Sequence, residues 1–261
     1  MGLYLTFTNR NSGWAHCVQF VGGPQEIASV LGTRNGGKTW AVLATNLQTS
    51  KVSPIPQVGL GNAMRFRGAR TGWMATTDFG CMGGPGHTVD GGRRWAIQRV
   101  LPPSFTSSTA AQSHLCSFSL PTFFGYQGVM TAVTHAGNLL LRSTNGGATW
   151  RIVAHLPKAR GAQEAVNGTT SWAHRATFTS AATAWTHIGS TAYTTANGGA
   201  TWVAHRMSGW SSKMAGGVDF LNRTDAWAAI QTRTMRSTAP PVVWRSTDGG
   251  IDWTRPSSAV G

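Results

Sequence analysis

The chain contains few side chains that could transfer a proton to a substrate. Among its 261 residues are 8 carboxylates, counting Asp and Glu together. Hydrolysis by paired carboxyl groups requires two of them flanking the bond that is cleaved, one as acid and the other as base or nucleophile. Only Asp78, Glu26 and Glu164 lie outside a repeated turn motif and its neighbouring turns. Their positions in the sequence do not identify a catalytic pair, so we predict no catalytic residue.

Metal and cofactor motifs are also lacking in the sequence. The three cysteines form no Cys-x-x-Cys pair, and the 8 His residues never show the His-x3-His spacing of a metal site. A glycine-rich stretch at 83–86 precedes a predicted strand rather than a helix, which excludes a phosphate-binding loop. We therefore predict that the protein holds neither a metal nor a cofactor.

The net charge is strongly positive, because 22 Lys and Arg residues face 8 acids and leave +14. Such an excess raises nucleic acid or an anionic surface as a partner. The basic residues are spread along the chain, however, and no aromatic and basic motif of RNA-binding proteins accompanies them, which disfavours nucleic acid. Peripheral association with an anionic surface stays open. A shortage of carboxylates also suits acidic extracytoplasmic surroundings, where carboxylate ion pairs become protonated and are lost.

No run of about 18 apolar residues occurs, so we predict no transmembrane segment. The first ten residues lack the basic region and apolar stretch of a signal peptide. The chain is then either cytoplasmic or a mature form without its leader. The shortage of carboxylates favours an extracellular or otherwise extracytoplasmic location.

The framework that positions these residues is a fivefold repeat. The pattern Ser/Thr-x-Asx-Gly-Gly-x-x-Trp starts at residues 33, 88, 143, 195 and 246, so its copies follow one another after 55, 55, 52 and 51 residues. The Asx side chain can hydrogen-bond neighbouring amides, and the glycine pair can adopt positive φ, which closes a β-hairpin. Such regular spacing predicts one structural unit per repeat.

A second motif precedes each octapeptide, namely a Phe followed by a Trp seven residues later. The pairs are Phe7 and Trp14, Phe66 and Trp73, Phe178 and Trp185, and Phe220 and Trp227. In the third repeat Phe118 or Phe123 leads to Tyr126, which we expect to replace the Trp. Apolar segments between the motifs predict four short strands in each repeat. We expect the Trp residues of both motifs, together with Trp244, to belong to the core.

The octapeptide resembles the Asp-box, or bacterial neuraminidase repeat, with Asn in place of Asp in three copies. Both motifs together cover nearly the whole chain, which is similar to propellers of the photosystem II stability and assembly factor type and of the sialidase type. The resemblance implies an all-β fold: a β-propeller of four-stranded antiparallel blades in a single domain, 1–261. We expect a five-bladed ring with blades at about 1–45, 60–100, 117–155, 170–207 and 216–256. The structural Asp-box residues are Asn35, Trp40, Asp90, Trp95, Asn145, Trp150, Asn197, Trp202, Asp248 and Trp253.

The resemblance implies two classes of function. One is a non-catalytic extracytoplasmic binding or scaffold protein. The alternative is a sialidase-like glycoside hydrolase, a family that uses a Tyr nucleophile activated by a Glu, an Asp acid/base and three Arg. The only tyrosines here are Tyr4, Tyr126 and Tyr193, and the sequence pairs none of them with a Glu. The binding function is therefore favoured.

The propeller geometry also predicts where a partner binds. In a four-stranded antiparallel blade, the connections between blades leave the end opposite the octapeptide hairpin, and loops on a rigid scaffold often carry function. The long segments at this end are 44–62, 101–117, 156–174 and 205–216. We predict that Trp210, Arg206, Lys213 and Arg160 in these segments bind a protein or glycan partner.

Cys81 and Cys116 stand at the two ends of one such connection between blades. If the protein is exported to an oxidising compartment, we predict a disulfide between them. Cys17 is then left unpaired, as a small buried apolar residue.

Overall fold

The structure is a computed structural model, and every regular element that it describes is a β-strand. It describes residues 2–20, 26–45, 63–75, 84–101, 115–134, 137–157, 176–188, 190–208, 214–232 and 242–255. Within these ranges no helix has the length and apolar character needed to span a membrane.

The strands form five sheets, one for each copy of the octapeptide. Sheet 1 contains β1 (Gly2–Phe7), β2 (Gly13–Phe20), β3 (Glu26–Thr33) and β4 (Ala41–Thr45). Sheet 2 contains β5 (Met64–Arg67), β6 (Thr71–Met74), β7 (Gly86–Thr88) and β8 (Ala96–Ile97). Sheet 3 contains β9 (Val100–Leu101), β10 (Leu115–Phe118), β11 (Thr122–Phe124), β12 (Gln127–Thr134), β13 (Gly137–Ser143) and β14 (Trp150–His155). Sheet 4 contains β15 (Thr177–Phe178), β16 (Ala184–Ile188), β17 (Thr191–Thr195) and β18 (Val203–Arg206). Sheet 5 contains β19 (Met214–Phe220), β20 (Ala226–Thr232) and β21 (Val242–Ser246).

Sheets 1, 2 and 4 pair their four strands in sequence order, each antiparallel to the last. This confirms the prediction of an all-β chain with four-stranded antiparallel units. In sheet 5 an isolated antiparallel bridge between Arg245 and Thr254 stands where the fourth strand is expected.

Sheet 3 has two additional strands. The short β9, which follows sheet 2 in the chain, pairs in parallel with the outer strand β14. A parallel bridge from Ser208 to Asp252 repeats this arrangement between sheets 4 and 5. The segment that leaves one sheet thus adds backbone hydrogen bonds to the outer edge of the next, which protects that edge from pairing with another chain.

The third repeat corrects one sequence prediction. Strand register pairs Phe123 with Gly128, as it pairs Phe7 with Gly13 and Phe66 with Gly72. Val129 therefore occupies the position of the second-strand Trp, and it is buried. Tyr126 does not replace that Trp: it lies in the turn between β11 and β12 and is exposed.

All five octapeptide hairpins share one hydrogen-bond network. The Ser or Thr hydroxyl donates to the Asx Oδ1 at 2.7–3.0 Å and accepts the N–H of the second glycine at 2.8–3.0 Å. The same Oδ1 accepts a further backbone N–H four residues on, at 2.9–3.0 Å. Both glycines have φ between +70° and +92°, where a side chain is strained. The sequence pattern is thus a turn motif.

Each sheet has two faces that differ in their aromatic residue. Because consecutive residues of a strand point to opposite sides, the first-strand Phe and the second-strand Trp mark opposite faces, which we call the Phe face and the Trp face. Trp14 stacks on Phe66 of sheet 2, with ring centroids 3.8 Å apart and planes inclined by 5°. Its Nε1 donates to the carbonyl of Gly91 at 2.8 Å. The Trp face of sheet 1 therefore packs on the Phe face of sheet 2.

The same packing recurs along the chain. The ring centroid of Trp73 lies 4.9 Å from that of Phe123 in sheet 3, and the ring centroid of Trp185 lies 5.2 Å from that of Phe220 in sheet 5. Sheet 3 has no Trp at this position, and its Arg142 instead donates to the carbonyl of Ala181 beside hairpin 4. The buried clusters between sheets 1 and 2, 2 and 3, and 4 and 5 form the core.

Most of the motif Trp residues are core residues, as predicted, but three are not. Trp40 and Trp202 are only half-buried, and Trp227 is exposed. Trp244 is half-buried and packs against the buried cluster between sheets 4 and 5. The prediction for Trp227 is wrong because no described sheet covers the Trp face of sheet 5.

Candidate functional site

The carboxylates of two hairpins, Asp90 and Asp248, are held by hydrogen bonds inside the turn. Desolvation raises the pKa of Asp90, but hydrogen bonds from the N–H of Arg94, the hydroxyl of Thr88 and the N–H of Arg93 outweigh it, so the pKa lies below its ordinary value of 3.8. Desolvation likewise raises the pKa of Asp248, and hydrogen bonds from the turn again lower it below the ordinary value. Both groups are ionised structural acceptors rather than proton donors.

Replacing Asp90 and Asp248 together by Asn should reduce the acid sensitivity of folding. A carboxylate whose pKa is lower in the folded chain stabilises the fold fully above its unfolded pKa. This stabilisation is lost as pH falls below 3.8 through the folded pKa. Denaturant unfolding at a series of pH values from about 6 to about 2 should show a smaller loss of stability in the double variant.

The hairpins with Asn supply the matched control for this experiment. Asn145→Asp places a carboxylate in the same hydrogen-bond network and should make folding more sensitive to acid. Identical pH profiles for the native chain and the variants would contradict a structural role of these carboxylates.

The other described carboxylates also lie in or beside turns. Asp225 accepts hydrogen bonds from Asn222 and from Arg245, whose Nη2 lies 3.1 Å away, and these bonds lower its pKa. Asp219 accepts the N–H of Phe220. Asp252 is exposed in hairpin 5. Within the described ranges, no group of three or more His, Cys, Asp or Glu side chains could hold a metal ion.

The three acids that the sequence left for catalysis are not placed by the structure. Asp78 and Glu164 lie outside the described residues, and of Glu26 only the backbone is described, at the start of β3. The described residues therefore do not assemble a catalytic carboxylate pair.

Of the four predicted binding residues, the structure places one. Arg206 is the last residue of β18, where it pairs with Thr191, and it is exposed. It lies in a strand rather than in the connection that follows, at the end of sheet 4 opposite hairpin 4. Its neighbour His205 has Nε2 3.0 Å from the hydroxyl of Thr194. Trp210, Lys213 and Arg160 lie outside the described residues.

The predicted disulfide is likewise untested. Cys81 lies outside the described residues, and of Cys116 only the backbone in β10 is described. Cys17 is a free thiol, but it is half-buried rather than fully buried, and desolvation raises its pKa.

Sequence reasoning missed a group of cations at the hairpin ends of sheets 1 and 2. Guanidinium nitrogens of Arg34 and Arg93 both lie within 4 Å of the point where a Cβ on Gly91 would stand. Arg10, Lys38, Arg70 and Arg94, which lie in these hairpins or in the turns beside them, are also exposed. The signal was available at the sixth position of the octapeptide, which is Lys38 and Arg93 in the first two copies and Ala148, Ala200 and Ile251 in the others.

Comparison with known proteins identifies the fold alone. No protein-family model and no curated protein sequence matches the chain. Among solved structures, it is similar to the GH74 xyloglucanase of Xanthomonas campestris (TM-score 0.57, 15% identity over 98% of this chain) and to YCF48 from Cyanidioschyzon merolae (TM-score 0.56, 16% identity over 98%). The Niastella koreensis GH74 enzyme matches with TM-score 0.55 and 17% identity over 97%.

The chain spans different fractions of these neighbours. It covers 38% and 37% of the two GH74 enzymes and 84% of YCF48. All three are β-propellers, so the likeness shows a propeller-like fold. Since this fold carries both glycoside hydrolases and YCF48, it does not by itself decide the function.

Proposed function

We propose that the chain is a non-catalytic extracytoplasmic binding or scaffold propeller that recognises a protein or glycan carrying negative charge. The observation that carries this proposal is that the acidic and the basic side chains lie in different environments. Asp90, Asp219, Asp225 and Asp248 accept hydrogen bonds within turns, whereas many Arg and Lys side chains are exposed. A surface of this kind attracts an anionic partner without offering it an acid or base.

The shared turn network of the hairpins, which resemble the Asp-box, supports the same proposal. Their shared network explains the hydroxyl, Asx and second glycine positions of the octapeptide by folding alone. Asn in three of the five copies keeps those hydrogen bonds at any pH, because an amide does not titrate in this range. Together with the shortage of carboxylates, this favours an acidic extracytoplasmic location.

We place the binding face at the ends of the blades opposite the hairpins. Arg206 projects from sheet 4 at that end, and Trp210 and Lys213 follow within seven residues, with Arg160 in the preceding connection. An aromatic anchor surrounded by cations suits both a sugar ring and a peptide with acidic residues.

Binding of a carboxylated polysaccharide, polygalacturonate, and of an acidic polypeptide, polyglutamate, tests this proposal. We expect the native chain to bind at least one of them, and more weakly as salt increases. Trp210→Ala should lower the affinity about tenfold or more, and Arg206→Glu should mainly slow association. The matched controls Arg34→Glu and Arg93→Glu reverse equal charges at the opposite ends of the blades, where the octapeptide hairpins lie (the hairpin face). They should leave binding nearly unchanged.

A second candidate, association with an anionic surface through the hairpin face, is favoured by the convergence of Arg34 and Arg93 above Gly91. In the same experiment, loss of binding in Arg34→Glu and Arg93→Glu but not in Arg206→Glu would replace the first proposal by this one. The glycoside hydrolase alternative would replace both if the chain released reducing ends from the polysaccharide and Glu164→Gln or Glu26→Gln abolished the release.

A further inference from the structure

Three of the junctions between consecutive described sheets are built from the same parts. At the junction of sheets 1 and 2, a Cβ on Gly92 would meet Phe66 and Trp14 at 3.4 Å. At the junction of sheets 2 and 3, a Cβ on Gly147 would clash with the ring of Trp73. At the junction of sheets 4 and 5, a Cβ on Gly250 would clash with the ring of Trp185. The second glycine of each of these three hairpins is therefore part of a socket into which the Trp of the preceding sheet fits.

The Trp face of sheet 5 has the same parts but no socket. Trp227 is 37% exposed, whereas Trp14 at the same position is 2% exposed. Val243, three residues before hairpin 5, is 53% exposed, whereas Val30 at the same position before hairpin 1 is 0% exposed. The guanidinium of Arg245 lies over the ring of Trp227, 5.5 Å from its centroid.

The Phe face of sheet 1 is the complementary case, because it has a socket that no Trp of another described sheet fills. Phe7 and Leu5 are exposed, although their counterparts in sheet 2, Phe66 and Met64, are buried. Among the described residues, a Cβ on Gly37 would meet only Trp40 of the same hairpin, at 3.7 Å. Phe7 contacts Trp40 edge to face, so the walls of the socket are already assembled.

We propose that a second copy of this chain docks the Trp face of its sheet 5 onto the Phe face of sheet 1. The two open faces are complementary halves of a junction that the chain already forms three times. Among the described residues, these faces do not cover each other within one chain, as they would in the predicted five-bladed ring. Each copy carries both halves, so two copies related by a twofold axis can fill both sockets, and no surface is left to extend the assembly. Contiguous exposed apolar faces are typical of interaction surfaces.

Two single variants each remove one half of the proposed junction. Trp227→Ala removes the inserted ring, and Leu5→Glu places a charge on the wall of the socket at an exposed position, where folding tolerates it. In sedimentation velocity, the native chain should have twice the mass of one chain at micromolar concentration. Each variant should sediment as a monomer with an unchanged far-ultraviolet circular dichroism spectrum.

Mixing the two variants gives a sharper test. The Leu5→Glu copy keeps an intact Trp face and the Trp227→Ala copy keeps an intact socket, so the mixture should form a one-to-one complex that neither variant forms alone. Tyr126→Ala, which removes an exposed aromatic ring from a turn elsewhere, should leave the native dimer unchanged.

Alkylation of Cys17 supplies a second readout. Cys17 pairs with Leu3 in the register of β1 and β2 and therefore lies on the Phe face of sheet 1. Its thiol should react several-fold more slowly in the native dimer than in either monomeric variant. A native chain that stays monomeric, a dimer that survives both substitutions, or a mixture without complex would each overturn the proposal.

Discussion

Replacing Trp150 by Ala is expected to lower the free energy of unfolding by about 3–5 kcal/mol, the usual cost of removing a buried Trp ring. Trp150 is fully buried in the cluster between sheets 2 and 3. Its ring lies edge to face with Trp73 at 6.4 Å and 6.0 Å from Phe123. Such a cavity cannot collapse without moving both sheets. Equilibrium unfolding in denaturant, followed by circular dichroism, measures the change.

The matched control is Trp202→Ala, at the same position of hairpin 4. Trp202 is only half-buried, so its removal takes less apolar area out of the core and should cost clearly less. Trp202 also donates Nε1 to the carbonyl of Gly199 at 3.1 Å, whereas the buried Nε1 of Trp150 has no hydrogen-bond partner among the described residues. Equal losses for the two variants would contradict the packing difference on which the prediction depends.

The hairpins and strands could be predicted from the sequence because their causes are local. Hydroxyl, Asx and the glycine pair make the turn from atoms within five residues of one another, as the network of Ser143, Asn145 and Gly147 shows. Alternation in the strands then sets the Phe and Trp faces. Wherever the turn motif is complete, the sequence contains the information for its own geometry.

The burial of the aromatic residues could not be predicted in the same way. Trp14 and Trp227 have the same local sequence context, yet one is buried and the other exposed, because burial depends on the sheet that packs against each face. In the third repeat, a turn one residue shorter between Phe123 and its partner Gly128 shifted the register and assigned the Trp position to Val129 instead of Tyr126. Tertiary contacts and register decide such positions, and neither is encoded within one motif.

The candidate site was predictable only in part. The end of the sheet on which Arg206 lies follows from strand direction, which the hairpin positions determine. The convergence of Arg34 and Arg93 could not be predicted from strand direction. The two residues are 59 positions apart and meet only through the packing of sheet 1 on sheet 2. Charge patterns within the repeat can suggest such a group, but the contact between repeats makes it.

Gly147→Ala is expected to cost about 2–5 kcal/mol of stability, for two separate reasons. The residue has φ of +89°, and a left-handed backbone costs an Ala roughly 1–2 kcal/mol more than a Gly. In addition, the new Cβ would stand well inside van der Waals contact with the ring of Trp73 and 3.0 Å from Cζ of Phe123. Forcing a methyl group into such a packed site typically costs about 1–3 kcal/mol more.

Gly68→Ala separates the two contributions. Gly68 has φ of +70°, but a Cβ there would meet nothing within 4 Å, so only the backbone cost of about 1–2 kcal/mol should remain. The difference between the two variants measures how tightly the Trp of one sheet fits the hairpin of the next. Combining Gly147→Ala with Trp73→Phe, whose smaller ring leaves room for the methyl group, should therefore recover part of the packing cost. Equal costs for Gly147→Ala and Gly68→Ala would show that the ring does not press on the glycine, and the junction between the sheets would then be looser than the contacts indicate.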